Sequence, residues 1–234
     1  MNPGIVDHII AFIIIVAMPI LSVRAYRLMV AAVRADPNGR RRQYQWIIVQ
    51  QWLAVAILLG FWFAVGRGAA AIGLDLPRGL QTLIGLAITT AVVVALLLQR
   101  IAIRRGGETA RESLRAQIEA FDALAPRTQA ELRWFNALSV TAGICEEVLY
   151  RGFLLAYLGA LLGIWPAVVA GAVTFGVAHL YQGRANALKG VIFSLLLGAL
   201  YVGCGTLLWP IILHAALDLH GGALARFALA DTRD

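Results

Sequence analysis

Two adjacent glutamates, Glu146 and Glu147, are followed by Arg151 in a stretch that is otherwise mostly apolar. Placing one charged side chain at the centre of a membrane helix costs about 2.5 to 3.5 kcal/mol on insertion scales, so a cluster of charges there indicates a functional site. Glu147 and Arg151 are four residues apart. In a helix they would lie on one face with the acid before the base, which is the favourable order for an ion pair.

Glu146 lies about 100° around the helix from Glu147 and can therefore point elsewhere. If Arg151 neutralises Glu147, we expect Glu146 to face the protein interior. A desolvated carboxylate is the kind of group that serves as a general base near neutral pH. The pair thus predicts one structural and one chemically active glutamate.

Two further polar clusters lie in later apolar stretches, from Phe175 to His179 and from His214 to Asp218. His214 and Asp218 are four residues apart, so one can orient the other, as in acid-base and metal sites. A single histidine in a membrane span can instead be a hydrogen-bonded packing residue. Because isolated buried charges are costly, we expect the three clusters to converge on one polar cavity.

Such a cavity could hydrolyse a peptide bond. Glu146 could take a proton from water, while His179 or His214 could stabilise the oxyanion or protonate the leaving amine. The same three residues could alternatively bind zinc, with one position open for water. No His-Glu-x-x-His motif is present, and a metal-bound Glu146 could not act as the base. We favour a mechanism without a cofactor, and zinc is the open alternative.

Cysteine chemistry is not indicated. Cys145 and Cys204 lie in apolar sequence without metal-type spacing, so structural thiols are expected. A thiol at Cys145 would also need an activating base to act as a nucleophile.

The elements that position these residues are predicted to be membrane helices. The 234 residues are 60% hydrophobic and 14% charged, with a mean hydropathy of +0.77. Uncharged stretches near or above membrane-spanning length cover residues 9–23, 44–66, 79–99, 152–183 (broken only by His179) and 190–213. They are too long and too evenly apolar for barrel strands. We predict an all-α, polytopic integral membrane helical bundle with about seven to eight transmembrane helices.

Arginine placement predicts the orientation. Six arginines lie in residues 24–42, interpreted as a loop, and seven in residues 100–133, so both stretches are predicted to be cytoplasmic. The N-terminus would then lie outside. The first apolar run lacks a basic n-region and a clean cleavage site and is interpreted as an uncleaved span. The single membrane domain would comprise N-terminal helices over 1–103, a cytoplasmic amphipathic segment over 104–130 and the segment that carries the three polar clusters. Mixed charge in 104–130 favours a membrane-surface or solvated helix over nucleic-acid binding.

The motifs Glu146-Glu147-x-x-x-Arg151, Phe175-x-x-x-His179 and His214-x-x-x-Asp218 occur in that order on successive hydrophobic segments. Together they resemble the CPBP intramembrane protease family, which includes the type II CAAX prenyl endopeptidases and bacteriocin-processing or immunity-related membrane proteins. The resemblance covers about residues 131–222, which it implies are the catalytic core.

The resemblance implies a helical membrane fold with a cavity open toward the cytoplasm. It also implies that Glu146 activates the attacking water, with His179 and His214 beside it and Asp218 completing the cluster. Glu147, Arg151 and Phe175 would support these groups. The prenyl endopeptidases usually have Asn where this chain has Asp218. Asn can donate a hydrogen bond to an oxyanion, whereas ionised Asp cannot.

We therefore expect an intramembrane endopeptidase in the plasma or inner membrane. Its partners would be membrane lipid and a membrane-associated peptide or lipidated (CAAX-type) protein, with no nucleic acid. The alternative is a non-catalytic immunity factor, scaffold or carrier that uses the same buried polar network.

Overall fold

The computed structural model describes residues 2–36, 38–76, 79–118 and 123–229. The described chain is all-helical, as predicted. Its helices are α1 Ile5–Ala35, α2 Gly39–Ala64, α3 Leu80–Arg105, α4 Gly107–Ile118, α5 Gln129–Glu147, α6 Leu155–Leu162, α7 Ile164–Ala178, α8 Arg184–Cys204 and α9 Leu208–Leu229. Residues 119–122, which belong to the predicted amphipathic segment, lie outside the described residues.

Five of the described helices are long and apolar enough to cross a membrane, namely α1, α2, α3, α8 and α9, and α7 is a shorter apolar helix. This supports the predicted membrane bundle, but the number of seven to eight spans is not confirmed.

Two of the predicted stretches are divided. Gly163 separates α6 from α7, and Gly205, with φ of 69°, ends α8 before α9 begins. A glycine in the left-handed region ends a helix at little steric cost, whatever the hydropathy around it.

The first arginine-rich stretch was expected to be a loop, and this expectation is wrong. Helix α1 continues to Ala35 and α2 begins at Gly39, so all six arginines of this stretch lie within the two helices. Arginine is a good helix former, so a helix can continue past the apolar segment that precedes it.

Helix α5 carries the acidic pair. It starts at a capping box in which the hydroxyl of Thr128 accepts from the Glu131 N–H at 3.2 Å and the Glu131 carboxylate accepts from the Thr128 N–H at 3.1 Å. After Glu147 the helix continues through a π-helical segment, Val148–Leu154, into α6. Within that segment Phe153 and Leu154 are completely buried. The glutamates therefore lie at a junction anchored in the core.

Helix α5 packs against α2 on one side and α9 on the other, and α7 packs against α8. The approach to α9 depends on Gly143, because a Cβ atom there would lie 2.9 Å from the backbone nitrogen of Ala215. Ala215 directly follows His214. The close crossing therefore brings the histidine of α9 to the glutamates of α5.

The two cysteines, Cys145 and Cys204, are buried free thiols, in agreement with the structural role expected for them.

Candidate active site

Glu147 is completely buried and joins two parts of the site. Its Oε1 accepts from Arg151 at 2.8 Å, as the four-residue spacing predicted, and lies 2.7 Å from Nδ1 of His214. Arg151 is 3% exposed and also donates to the Ser194 hydroxyl at 2.9 Å. Buried charges of opposite sign are thus paired and hydrogen-bonded, the arrangement that makes their burial tolerable.

The hydrogen-bonding carboxylate of His214 is Glu147 and not Asp218, which corrects the interpretation of the four-residue spacing. Nε2 of His214 lies 3.7 Å from Oδ2 of Asp218, beyond hydrogen-bond distance. The Nδ1 contact with Glu147 is short because α5 and α9 cross closely. A carboxylate against Nδ1 fixes the ring orientation and leaves Nε2 to face the cavity.

Glu146 faces the two histidines. Its Oε2 lies 4.0 Å from Nε2 of His179 and 3.9 Å from Nε2 of His214. The Glu146 side chain is 17% exposed, whereas that of Glu147 is fully buried. The two adjacent glutamates therefore have different environments, as predicted, and three of the predicted groups converge.

His179 lies just beyond the end of α7 and is held by the preceding turn. Its Nδ1 is 2.8 Å from the carbonyl oxygen of Phe175, which accepts the N–H, and the two rings are 4.4 Å apart. The Arg151 guanidinium lies 5.0 Å from the centre of the Phe175 ring, a cation–π contact. Phe175 thus orients His179 and packs against the buried ion pair.

Asp218 is the most exposed of the predicted site residues, with 40% of its side chain accessible. It lies one helical turn beyond His214 on α9. The Asp218 carboxylate is therefore at the rim of the cluster and not at its centre.

Two polar residues of the site were not predicted. Gln51 on α2 donates to Oε1 of Glu146 at 2.9 Å, and its own side-chain oxygen is buried without a hydrogen-bond partner among the described residues. Ser194 on α8 is 3% exposed and binds Arg151. Both are uncharged residues in apolar runs, so neither stands out by charge. In the sequence, the signal that could have indicated Gln51 is the adjacent pair Gln50-Gln51 in an otherwise apolar stretch.

A zinc ion would require its ligands to lie closer together than these side chains do. Nitrogen and oxygen ligands at about 2.0 Å around a tetrahedral zinc lie roughly 3.3 Å apart. Oε2 of Glu146 is 3.9 and 4.0 Å from the two imidazole nitrogens, and no group of three His, Cys, Asp or Glu side chains in the described ranges has metal-binding geometry. Zinc binding by Glu146, His179 and His214 would require these side chains to move closer together.

Residues 128–220 match the family model of type II CAAX prenyl endopeptidase Rce1-like proteins. This stretch contains the three motifs, and the match confirms the resemblance to the CPBP family. A curated relative, CAAX prenyl protease 2 of Rattus norvegicus, is 29% identical over 103 residues, which are 42% of this chain. The aligned region spans 32% of the length of that relative. No solved structure matches the chain at a significant level.

Proposed function

We propose that this chain is a membrane-embedded endopeptidase that hydrolyses a peptide bond of a membrane-associated, lipidated protein by glutamate-activated water. The observation that carries the proposal is the position of Oε2 of Glu146 about 4 Å from Nε2 of both His179 and His214. A water molecule making two hydrogen bonds of about 2.8 Å spans 4 to 5 Å between its partners. Water can therefore bridge the carboxylate and an imidazole.

Glu146 takes one proton from this water as the water oxygen attacks the carbonyl carbon of the substrate. A carbon–oxygen bond forms, and the electron pair of the carbonyl double bond moves to the oxygen as an oxyanion. The carbon–nitrogen bond then breaks, and the proton passes to the leaving amine. General-base assistance of this kind contributes about 10² to 10⁴ in rate.

His214 stabilises the oxyanion or protonates the amine through Nε2. Its Nδ1–H donates to Glu147, and a carboxylate in that position holds the ring and supports the positive charge that forms when Nε2 gains a proton. His179, held by the Phe175 carbonyl, presents Nε2 to the same space. The two rings approach the reacting carbonyl from two helices.

Asp218 is assigned to supporting the charge of His214 from the rim and not to binding the oxyanion. An ionised carboxylate cannot donate a hydrogen bond, and the Asp218 oxygen lies 3.7 Å from Nε2 of His214. Gln51 donates to Oε1 of Glu146 at 2.9 Å from the other side of the site. Gln51 is therefore proposed to position Glu146.

The family match and the membrane helices around the site support the proposed substrate class. The rat relative is named as a CAAX prenyl protease, and we propose that this chain likewise cleaves next to a lipidated C-terminal cysteine. Membrane lipid would be its second partner, and we propose that the cavity opens toward the cytoplasm.

The test uses purified full-length protein with a farnesylated CAAX peptide and the same peptide without the lipid. We expect cleavage of the farnesylated peptide, and loss of at least about 10²-fold in Glu146→Gln, which keeps the size but removes the base. Glu112→Gln is the matched control, because Glu112 is exposed on α4. Full turnover by Glu146→Gln would refute the general base, and equal cleavage of both peptides would refute the lipidated substrate.

The non-catalytic alternative is not favoured by the family match. It would gain support if correctly folded parent protein cleaved neither peptide.

A further inference from the structure

An arginine-lined cavity lies apart from the glutamate and histidine cluster. Its volume is about 330 Å³. It is lined by Arg100, Arg104, Arg111, Gln129, Leu132, Ala223, Arg226 and Phe227. Among the lining residues that the structure describes, four are arginines and none is acidic. The cavity therefore has the charge of an anion-binding site.

The arginines come from three helices. Arg100 and Arg104 are one turn apart at the end of α3, Arg111 is on α4 and Arg226 is on α9. Like charges four residues apart on a helix repel each other. No hydrogen bond or ion pair joins Arg100 or Arg104 to the described part of the chain. An anion between them would relieve this repulsion.

Arg111 is held in place by contacts that do not use all of its hydrogen-bond donors. Its Nε donates to the carbonyl oxygen of Phe227 at 3.0 Å, and its guanidinium lies 5.5 Å from the centre of the Phe227 ring. Its contact with Glu108 is 3.4 Å long, and the Glu108 side chain is 56% exposed, so this ion pair is weak. The arginine fork is therefore oriented in advance, and a guanidinium binds phosphate oxygens in pairs.

The position of the cavity and its apolar lining identify the kind of anion. Arg100 and Arg104 lie at the end of α3, a helix that is long and apolar enough to cross a membrane. A residue at the end of such a helix is at the level of the lipid headgroups. Leu132, Ala223 and Phe227 add apolar wall next to the arginines, which suits the glycerol and the first methylenes of an acyl chain. Basic pockets between membrane helices bind phosphate-bearing headgroups in this way.

We propose that this cavity binds the phosphate of an anionic phospholipid. Binding would tie the ends of α3 and α9 to α4 and so stabilise the folded protein. This proposal does not depend on proteolysis, because its test measures thermal stability and lipid binding instead of activity.

The test measures the thermal unfolding midpoint of the purified full chain in a neutral detergent. The probes are short-chain phosphatidylglycerol, phosphatidylcholine with identical acyl chains, and inorganic phosphate. We expect phosphatidylglycerol to raise the midpoint by several degrees more than phosphatidylcholine does, and inorganic phosphate to have a much smaller effect. An equal effect of inorganic phosphate would overturn the lipid assignment, and equal effects of the two lipids would overturn the anion site.

The location of the lipid site is tested with the double variant Arg100→Gln/Arg104→Gln. This variant should lose most of the rise in unfolding midpoint that phosphatidylglycerol causes. Its control is Arg24→Gln/Arg27→Gln, which removes two exposed arginines from α1 and should keep the rise. Equal losses in both variants would mean non-specific attraction and overturn the cavity as the site. If the double variant does not fold, Arg104→Gln alone, at an exposed position, should weaken phosphatidylglycerol binding about tenfold by native mass spectrometry. Unchanged binding there would also overturn the proposal.

Discussion

Glu147 is the residue on which most polar contacts of the site depend. One of its oxygens receives both Arg151 and His214, and the side chain has no access to solvent. Removing its charge leaves Arg151 buried with only neutral partners. Glu146, by contrast, is partly exposed and contacts a neutral amide, so its removal should affect chemistry far more than stability.

We predict that Glu147→Gln lowers the stability of the protein by about 3 to 5 kcal/mol, because it breaks a buried ion pair. Activity should fall as well, since His214 loses the carboxylate that holds it. The measurement is unfolding in mixed detergent micelles together with peptide cleavage. Glu112→Gln makes the same chemical change at an exposed position and should alter stability by less than about 0.5 kcal/mol.

A second variant separates charge from packing at this pair. Glu147→Gln/Arg151→Met leaves no unpaired buried charge, so it should recover part of the lost stability. If Glu147→Gln is as stable as the parent, the ion pair is not the stabilising contact that its burial indicates.

Whether cleavage requires zinc also depends on individual side chains of the site. We predict less than one zinc ion per purified protein molecule and cleavage that survives a strong chelator, because we propose Glu146 as the base and not as a metal ligand. Elemental analysis and a chelator series are the measurements. Stoichiometric zinc that disappears in both His179→Ala and His214→Ala would establish the zinc mechanism instead.

The sequence predicted contacts that are local and missed those that are not. The Glu147–Arg151 pair follows from a four-residue spacing within one helix. The partner of His214 lies 67 positions away, and only the crossing of α5 and α9 brings it into contact. Gln51 is a neutral amide, so the cost of burying a charge, which identified the other site residues, did not point to it.

At the scale of the helices, the crossing of α5 and α9 determines the geometry of the site. Hydropathy predicted the apolar stretches 152–183 and 190–213, but not that Gly163 and Gly205 divide them. Nor could it predict the π-helical segment that follows the glutamates. Such features depend on local backbone geometry and packing, which average hydropathy does not report.

We predict that Gly143→Ala reduces cleavage by about tenfold, since a small displacement of catalytic groups is costly. The added methyl group would meet the backbone of Ala215, so α9 must shift and move His214 from Glu147. Gly171→Ala is the control, because a Cβ atom there meets nothing within 4 Å. Equal activity of the two variants would show that the crossing tolerates the change.

At the scale of the whole molecule, the distribution of arginines predicts the orientation in the membrane. The N-terminus is predicted to lie outside and the arginine-rich stretches inside. We predict that Asn38→Cys is protected from a membrane-impermeant maleimide in intact cells, whereas Leu76→Cys, 79% exposed at its position, reacts. Both are made in a Cys145→Ala/Cys204→Ala background. The reverse labelling pattern would invert the topology and place the arginine-lined cavity on the outer side.

The hydrogen bond from Gln51 to Glu146 has a consequence for how this protein could be altered. The family match begins at residue 128, yet the donor lies in the unmatched half of the chain. The matched segment on its own would therefore contain the proposed base but not the amide that orients it. A chimera that keeps residues 128–220 and exchanges α2 would keep the proposed base but lose this donor, unless the new helix also carries a glutamine at position 51. Any redesign of the N-terminal helices therefore has to preserve this one amide if Glu146 is to stay oriented.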